Sequence, residues 1–175
     1  KKTKAEHATE PKYKPSLIFE LDCESQAVGQ GIVGMPIWDG TAGITLDPDD
    51  ENQFYRLDYE KGKGAMVGAY SQVESYPCMV VQMDARVNRK SRVGWFITCR
   101  DKAANANDLR IFVITPSGKI MAADEETIIS DKDLRDGWVN IAAVIDFRTK
   151  EVDYYVDEEL VLENFYWGDI AISKN

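Results

Sequence analysis

The sequence predicts an all-β fold, either a sandwich or a barrel. Three features of the 175 residues predict it: apolar and polar side chains alternate over residues 16–24, turn-forming residues recur between short apolar runs, and no segment keeps an apolar period of 3.6 residues. Alternation with a period of two is typical of a strand that has one face in water. Short strands separated by regular turns are typical of sandwiches and barrels.

The predicted strands follow one another through the chain. In the first, residues 16–24, the side chains of Leu17, Phe19, Leu21 and Cys23 share one face. The other extended runs are residues 43–46, 54–59, 65–70, 78–87, 92–100, 109–115, 127–130, 138–147, 151–156 and 169–173. Clusters of Asp, Asn, Pro and Gly separate these runs and supply the turns.

Three of these runs predict where the core lies. Residues 93–98 and 109–114 are apolar on both faces, which predicts central strands that are covered on both sides. In the long strand at residues 138–147, alternation places four apolar side chains toward the core: Val139, Ile141, Ala143 and Ile145.

A single domain is expected over residues 16–175, after a flexible polar leader at residues 1–15. The leader carries five lysines and two prolines. A chain of this length fits one domain better than two. Because a charged, proline-containing leader is similar to the stalk that remains after export, it favours a secreted or cell-surface protein.

Charge and hydropathy exclude two classes of protein. The net charge is −9, from 21 basic and 30 acidic residues. A general nucleic-acid binder needs a cationic surface that displaces phosphate counterions, so nucleic acid is not an expected partner. The sequence contains no apolar run of about 18 residues, the length that a membrane-spanning helix needs.

Histidine and cysteine usage argue against two kinds of catalytic or metal site. The single histidine, His7, lies in the leader, whereas a catalytic triad or a zinc hydrolase needs histidine on an ordered element. The three cysteines, Cys23, Cys78 and Cys99, form no CxxC pair and no zinc-ligand spacing. Each lies in an apolar strand-like run, so we expect buried free thiols, although one disulfide is open to them.

Residues 137–157 carry a family pattern. They read Gly-Trp-Val-Asn-Ile-Ala-Ala-Val-Ile-Asp, then a turn, then a strand that ends in Tyr-Val-Asp. This segment resembles the laminin G-like branch of the concanavalin A-like lectin/glucanase superfamily. The resemblance implies a jelly-roll β-sandwich of two antiparallel sheets. Glu158 stands where the family has glycine, and because glutamate adopts a positive φ poorly, the sequence predicts another turn geometry there.

A catalytic alternative rests on Glu20, Asp22 and Glu24. Their Glu-x-Asp-x-Glu spacing resembles the catalytic strand of family 16 glycoside hydrolases, and it would place three carboxylates on one face of a strand. The resemblance implies that Glu20 is the nucleophile, Asp22 its hydrogen-bonding partner and Glu24 the acid/base. Only 19 residues precede Glu20, which favours the other interpretation, a structural strand with an acidic outer face.

Calcium is the one cofactor that the sequence suggests. In related jelly rolls a calcium site joins the first strand to the last, and the matching positions here are Glu20 or Asp22 with Asp169. Carboxylate oxygens are the ligands that calcium prefers. The acidic loop at residues 47–52 is another concentration of oxygen ligands; it lacks the spacing of an EF-hand, and the alternative there is a solvated acidic turn.

The candidate ligand-binding residues are aromatic and basic. Trp38, Tyr70 and Tyr76 lie in or beside loops, where an exposed ring can stack on the apolar face of a pyranose; packing under a loop is the alternative. Arg89 belongs to a basic cluster at a predicted hairpin tip and suits an acidic glycan or a partner's carboxylate. Trp95 and Trp138 are expected in the core.

Taken together, these features predict a non-catalytic, exported module that binds a carbohydrate or an extracellular protein. The glycoside hydrolase built on Glu20, Asp22 and Glu24 is one alternative. A purely structural or adhesion sandwich is the other. Fold alone does not choose among them.

Overall fold

The computed structural model describes residues 20, 22–25, 27–29, 37–39, 41–46, 52–58, 66–67, 77–91, 94–100 and 108–168. The chain divides into two compact units, Lys1–Gln72 and Val73–Asn175. The leader predicted at residues 1–15 lies outside the described residues. The single domain predicted over residues 16–175 stays a prediction.

The described part of the first unit consists of two strand pairs and one short turn. Strands β1 (Ile37–Asp39) and β4 (Met66–Val67) pair antiparallel, and so do β2 (Thr41–Leu46) and β3 (Gln53–Asp58). The predicted strand at residues 43–46 is therefore confirmed, and so is the described part, residues 54–58, of the strand predicted at residues 54–59. Strand β1 was not predicted.

Residues 22–25 do not continue the strand that the sequence predicts at residues 16–24. Cys23–Ser25 form a 3-10 turn. The carboxylate of Asp22 accepts a hydrogen bond from the Glu24 N–H at 3.1 Å, and the Ser25 hydroxyl donates to the Asp22 carbonyl at 3.0 Å. Aspartate and serine bond to nearby backbone in this way and compete with strand pairing. The alternating pattern therefore predicts the wrong structure for the C-terminal end of the strand expected at residues 16–24.

The second unit contains two four-stranded sheets in which every pairing is antiparallel. The first sheet has the order β12-β11-β10-β5 and the second the order β6-β7-β8-β9. The strand bounds are Cys78–Ala85 (β5), Trp95–Arg100 (β6), Asp108–Ile114 (β7), Ile120–Met121 (β8), Ile128–Ser130 (β9), Val139–Asp146 (β10), Glu151–Val156 (β11) and Glu159–Tyr166 (β12).

One apolar core joins the inner faces of these two sheets. Buried side chains of β7, β8 and β9 pack with buried side chains of β10 and β11. The aromatic rings of Phe112 and Tyr154 meet edge to face across the sheets, with centroids 5.3 Å apart. The four core residues predicted on β10 are confirmed, since Val139, Ile141, Ala143 and Ile145 are all buried.

Two details of the sheets differ from the predictions. β6 is a terminal strand of its sheet among the described residues, not a central one, whereas β7 does lie between two neighbours. The short strand β8 was not predicted, and neither was β12. The pairing of β12 with β11 shifts register twice, between Val152 and Tyr154 and between Tyr154 and Tyr155, and such irregular pairing hides the period of two that marks a strand.

The hairpin between β11 and β12 corrects the prediction made for Glu158. Val156 pairs directly with Glu159, which leaves a two-residue loop. Asp157 has a φ of 48° and Glu158 a φ of 67°, so the loop is a type I′ turn, in which both central residues have a positive φ. Glutamate therefore occupies the conformation that glycine favours, because the two strands impose it.

We expect Glu158→Gly to stabilise the protein. Glycine removes the steric cost of a positive φ, which is about 1–2 kcal/mol for other residues, although it also makes the unfolded chain more flexible. The expected net gain is about 0.5–1 kcal/mol, or a rise in Tm of roughly 2–4 °C. Thermal unfolding followed by circular dichroism measures it. The control is Glu159→Gly in the adjoining strand, which is expected to lower Tm; an equal rise in both variants would contradict the turn assignment.

The thiols differ in part from the expectation of buried free cysteines. Cys23 and Cys78 are free, as expected, but neither is buried, since Cys23 is half-buried and Cys78 is exposed at the start of β5. The side chain of Cys99 lies outside the described ones. No helix within the described ranges is long and apolar enough to cross a membrane. The predicted all-β class is confirmed in these ranges, with antiparallel sheets.

Candidate functional site

An open depression lies between the loop that joins β9 to β10 and the turn that joins β11 to β12. Its volume is about 430 Å³, in the lower part of the range for small-molecule sites. The lining residues are Asp131, Lys132, Asp133, Asp136, Gly137, Trp138, Val139 and Asp157. Most of these residues are charged, and one is a large aromatic ring, whereas small-molecule pockets are usually lined mainly by apolar and aromatic side chains with a few polar groups.

The side chain of Leu134 fixes the loop that supplies most of this lining. Leu134 is fully buried in the core. Its N–H donates to the Gly118 carbonyl at 2.9 Å, and its own carbonyl accepts from the Val87 N–H at 3.0 Å. An apolar anchor with both backbone groups bonded holds the flanking charged residues in place.

Gly118 leaves room for an ion pair between Asp133 and Arg135. A Cβ atom at Gly118, where φ is +80°, would lie 2.1 Å from Oδ1 of Asp133. Nη2 of Arg135 lies 2.6 Å from Oδ2 of Asp133, and Nε of Arg135 donates to Oδ1 at 3.0 Å. Hydrogen bonds from the Arg135 side chain and backbone hold the pKa of Asp133 well below its usual range.

Asp157 lies in the turn between β11 and β12 and connects it to the β9–β10 loop on the other side of the depression. Its Oδ1 accepts from the Asn140 N–H at 3.0 Å, and its Oδ2 lies 2.8 Å from Nζ of Lys132. The hydrogen bond from Lys132 lowers the pKa of Asp157, and the same bond raises the pKa of Lys132. Both groups are therefore charged at neutral pH.

Trp138 is half-buried in the depression and is not part of the core, so the expectation of a core tryptophan is wrong. It immediately precedes β10, where the chain has not yet entered the sheet. The guanidinium carbon of Arg86 lies 5.9 Å from the centroid of the Trp138 ring, within the range of a cation–π interaction. Trp95 is also only half-buried, and it packs against the core.

Arg89 is the one predicted ligand-binding residue that the structure places beside the depression. It is exposed, its Nη2 lies 2.9 Å from Oδ1 of Asp136, and its Nε donates to the Arg135 carbonyl at 3.1 Å. Tyr70 and Tyr76 lie outside the described residues. Trp38 lies in β1, where only the backbone is described.

The three predicted catalytic carboxylates do not share one face of a strand. Asp22 bonds to the backbone of its own turn. Glu24 lies within the 3-10 turn, and its Oε1 accepts from the Gln53 N–H of β3 at 2.6 Å. Glu20 is exposed and lies outside any strand. The arrangement ties the turn to β3, and it differs from the one-face geometry that the spacing predicts.

The predicted calcium site falls partly outside the described residues. Asp169 lies outside the described residues, so the pairing of Glu20 or Asp22 with it is untested. Within the part of the chain that the structure describes, no group of three or more His, Cys, Asp and Glu side chains is arranged to hold a metal ion.

Sequence reasoning missed the loop at residues 131–138 as a site. A signal was present, since Asp131, Asp133 and Asp136 crowd together directly before Gly137 and Trp138. Comparisons of the chain with protein-family models, with curated proteins and with solved structures find no match.

Proposed function

We propose that this chain is a non-catalytic carbohydrate-binding module whose ligand occupies the depression at Trp138. The observation that most supports this proposal is that the half-buried indole of Trp138 lies among carboxylates in the open depression. An indole face stacks on the apolar face of a sugar ring, as aromatic rings do with other flat apolar surfaces. Carboxylates accept hydrogen bonds from sugar hydroxyls, and charged acceptors form the stronger bonds.

The ionisation of the site favours binding over hydrolysis. A glycosidase needs one carboxyl group with a raised pKa that can donate a proton. The pKa values of Asp133 and Asp157 are both lowered, because each accepts a hydrogen bond from a basic side chain. These two carboxylates suit the role of fixed acceptors.

The jelly-roll topology and the concanavalin A-like relationship belong to this proposal. Two four-stranded antiparallel sheets with a shared core support the sandwich that both require. Export to the cell surface and a structural calcium ion complete the proposal. The hydrolase built on Glu20, Asp22 and Glu24 remains the competing function, and the bonds of Asp22 and Glu24 to backbone N–H groups count against it.

We expect Trp138→Ala to weaken oligosaccharide binding at least tenfold, about 1.4 kcal/mol. Isothermal titration calorimetry against a panel of neutral and acidic di- to tetrasaccharides measures this. Trp138→Phe keeps an aromatic face and is expected to retain part of the affinity. Tyr166→Ala, at an aromatic residue that is 51% exposed and does not line the depression, is the matched control.

Two outcomes would contradict the proposed function. In one, no sugar of the panel binds the wild type. In the other, the wild type releases reducing sugar and Glu24→Gln abolishes that activity, which would favour the hydrolase. Thermal unfolding of each variant separates a lost contact from a lost fold.

A further inference from the structure

The first sheet of the second unit has a second face that points away from the core. The side chains on this outer face alternate along each strand with the buried ones. They are Cys78, Val80, Gln82 and Asp84 on β5, Asn140, Ala142, Val144 and Asp146 on β10, Glu151, Asp153 and Tyr155 on β11, and Leu160 and Tyr166 on β12.

The apolar side chains of the outer face form a stepped row across the four strands. Val80 of β5 stands opposite Val144 of β10. Two residues earlier on β10, Ala142 stands opposite Tyr155 of β11, which stands opposite Leu160 of β12. Val80 is 63% exposed and Leu160 is 47% exposed. Since adjacent strands lie about 4.8 Å apart, the row is roughly 14 Å long. Contiguous exposed apolar surface of this kind marks interaction sites more often than isolated apolar residues do.

Carboxylates flank the apolar row on both sides. Asp84 lies beyond Gln82 on β5, and Asp153 stands directly opposite Val144 on the neighbouring strand. Glu151 follows on the same strand as Asp153. Asp146 is engaged with Arg148 at 2.5 Å, so that pair adds little net charge. The outer face therefore combines an apolar centre with a negative rim.

We propose that the outer face binds a cationic amphipathic segment of another protein, with apolar side chains on the row and Lys or Arg side chains against the carboxylates. A second copy of this chain fits less well, because face-to-face packing would bring the two negative rims together. The net charge of −9 also speeds the approach of a cationic partner at low salt.

The test uses two synthetic peptides, an amphipathic peptide of Leu and Lys and its counterpart of Leu and Glu, each labelled for fluorescence anisotropy. The full chain is expected to bind the Lys peptide at least tenfold more tightly than the Glu peptide. Higher salt is expected to weaken the binding of the Lys peptide, because the rim charges are exposed.

Variants locate the binding on the outer face. Val80→Ser with Leu160→Ser is expected to weaken binding of the Lys peptide at least tenfold. Ile128→Ser on β9 removes an apolar side chain that is 57% exposed on the other sheet, and it is expected to leave binding unchanged. Asp84→Asn with Asp153→Asn keeps the acceptor oxygens that bond Asn140 and Asn164 and is expected to reduce the salt dependence.

Three results would overturn the proposal. The wild type could bind both peptides with equal affinity. The Ile128→Ser variant and the Val80/Leu160 variant could lose the same affinity for the Lys peptide, or the Val80/Leu160 variant could keep the wild-type affinity for it. Analytical ultracentrifugation tests whether the outer face instead binds a second copy of this chain. A wild-type dimer that dissociates when Val80 is replaced by Ser would assign the outer face to a second copy. None of these results depends on sugar binding at Trp138.

Discussion

We expect the Ile141→Asp variant to be largely unfolded. Ile141 is fully buried on β10, between Met83 of β5 and Val156 of β11. A carboxylate there would be desolvated without a partner, a change that costs more than about 4 kcal/mol. The whole free energy of unfolding of a domain is about 5–15 kcal/mol, so most of the stability would be lost. Far-UV circular dichroism and thermal unfolding measure this.

The neighbouring residue supplies the control for that variant. Ala142 lies on the same strand and points to the outer face, so the carboxylate of Ala142→Asp reaches water. Its expected cost is about 1 kcal/mol or less, which is typical of a surface substitution. Similar melting temperatures for the two variants would show that the core does not lie on the Ile141 face.

The second large effect is expected from Tyr154→Phe. The buried Tyr154 hydroxyl donates to the Ile111 carbonyl of β7 at 2.9 Å and accepts from the Ala123 N–H at 3.0 Å. Phenylalanine leaves both backbone groups buried without this partner, which costs about 1–3 kcal/mol each. We expect a total loss of about 2–4 kcal/mol and a fall in Tm of roughly 6–12 °C.

Alkaline pH gives a distinct signature of the same hydroxyl. Burial raises the pKa of Tyr154 well above its ordinary value near 10. Above about pH 10 the unfolded chain loses this proton while the native chain keeps it, so the native state binds more protons and stability falls as the pH rises. The stability advantage of wild type over Tyr154→Phe is therefore expected to start shrinking near pH 10 and to keep shrinking as the pH rises toward the raised native pKa. Tyr155→Phe, on the outer face, is the control, and a constant advantage would contradict the buried hydroxyl.

The sequence was most informative where every second side chain enters the core. Burial alternates without interruption along Val139–Asp146 and again along Glu151–Val156, so two strands and the core face of β10 could be predicted. Strand β12 escaped prediction because its register shifts break that period. The 3-10 turn at residues 23–25 escaped because side-chain bonds of Asp22 and Ser25 outweigh an alternating pattern, and these bonds leave no periodic signal.

The candidate site depended on contacts between segments far apart in the sequence. Arg89 forms an ion pair with Asp136, and Lys132 forms one with Asp157. Residues from turns that are far apart in the sequence therefore come together at one depression. No local pattern reports such pairings. The conformation of Glu158 was mispredicted for a related reason, because the pairing of the two strands imposes the backbone angles and overrides the preference of the residue.

The irregularity of β12 has a consequence for self-association. Among the described residues β12 ends its sheet, and a terminal strand offers unpaired N–H and C=O groups on which further strands can grow into aggregates. The two register shifts in β12, a positive φ of 52° at Asn164, and the exposed carboxylates of Glu159 and Glu163 make this border a poor template. The same irregularity that hid β12 from sequence reasoning thus protects the protein against fibrous assembly along that border.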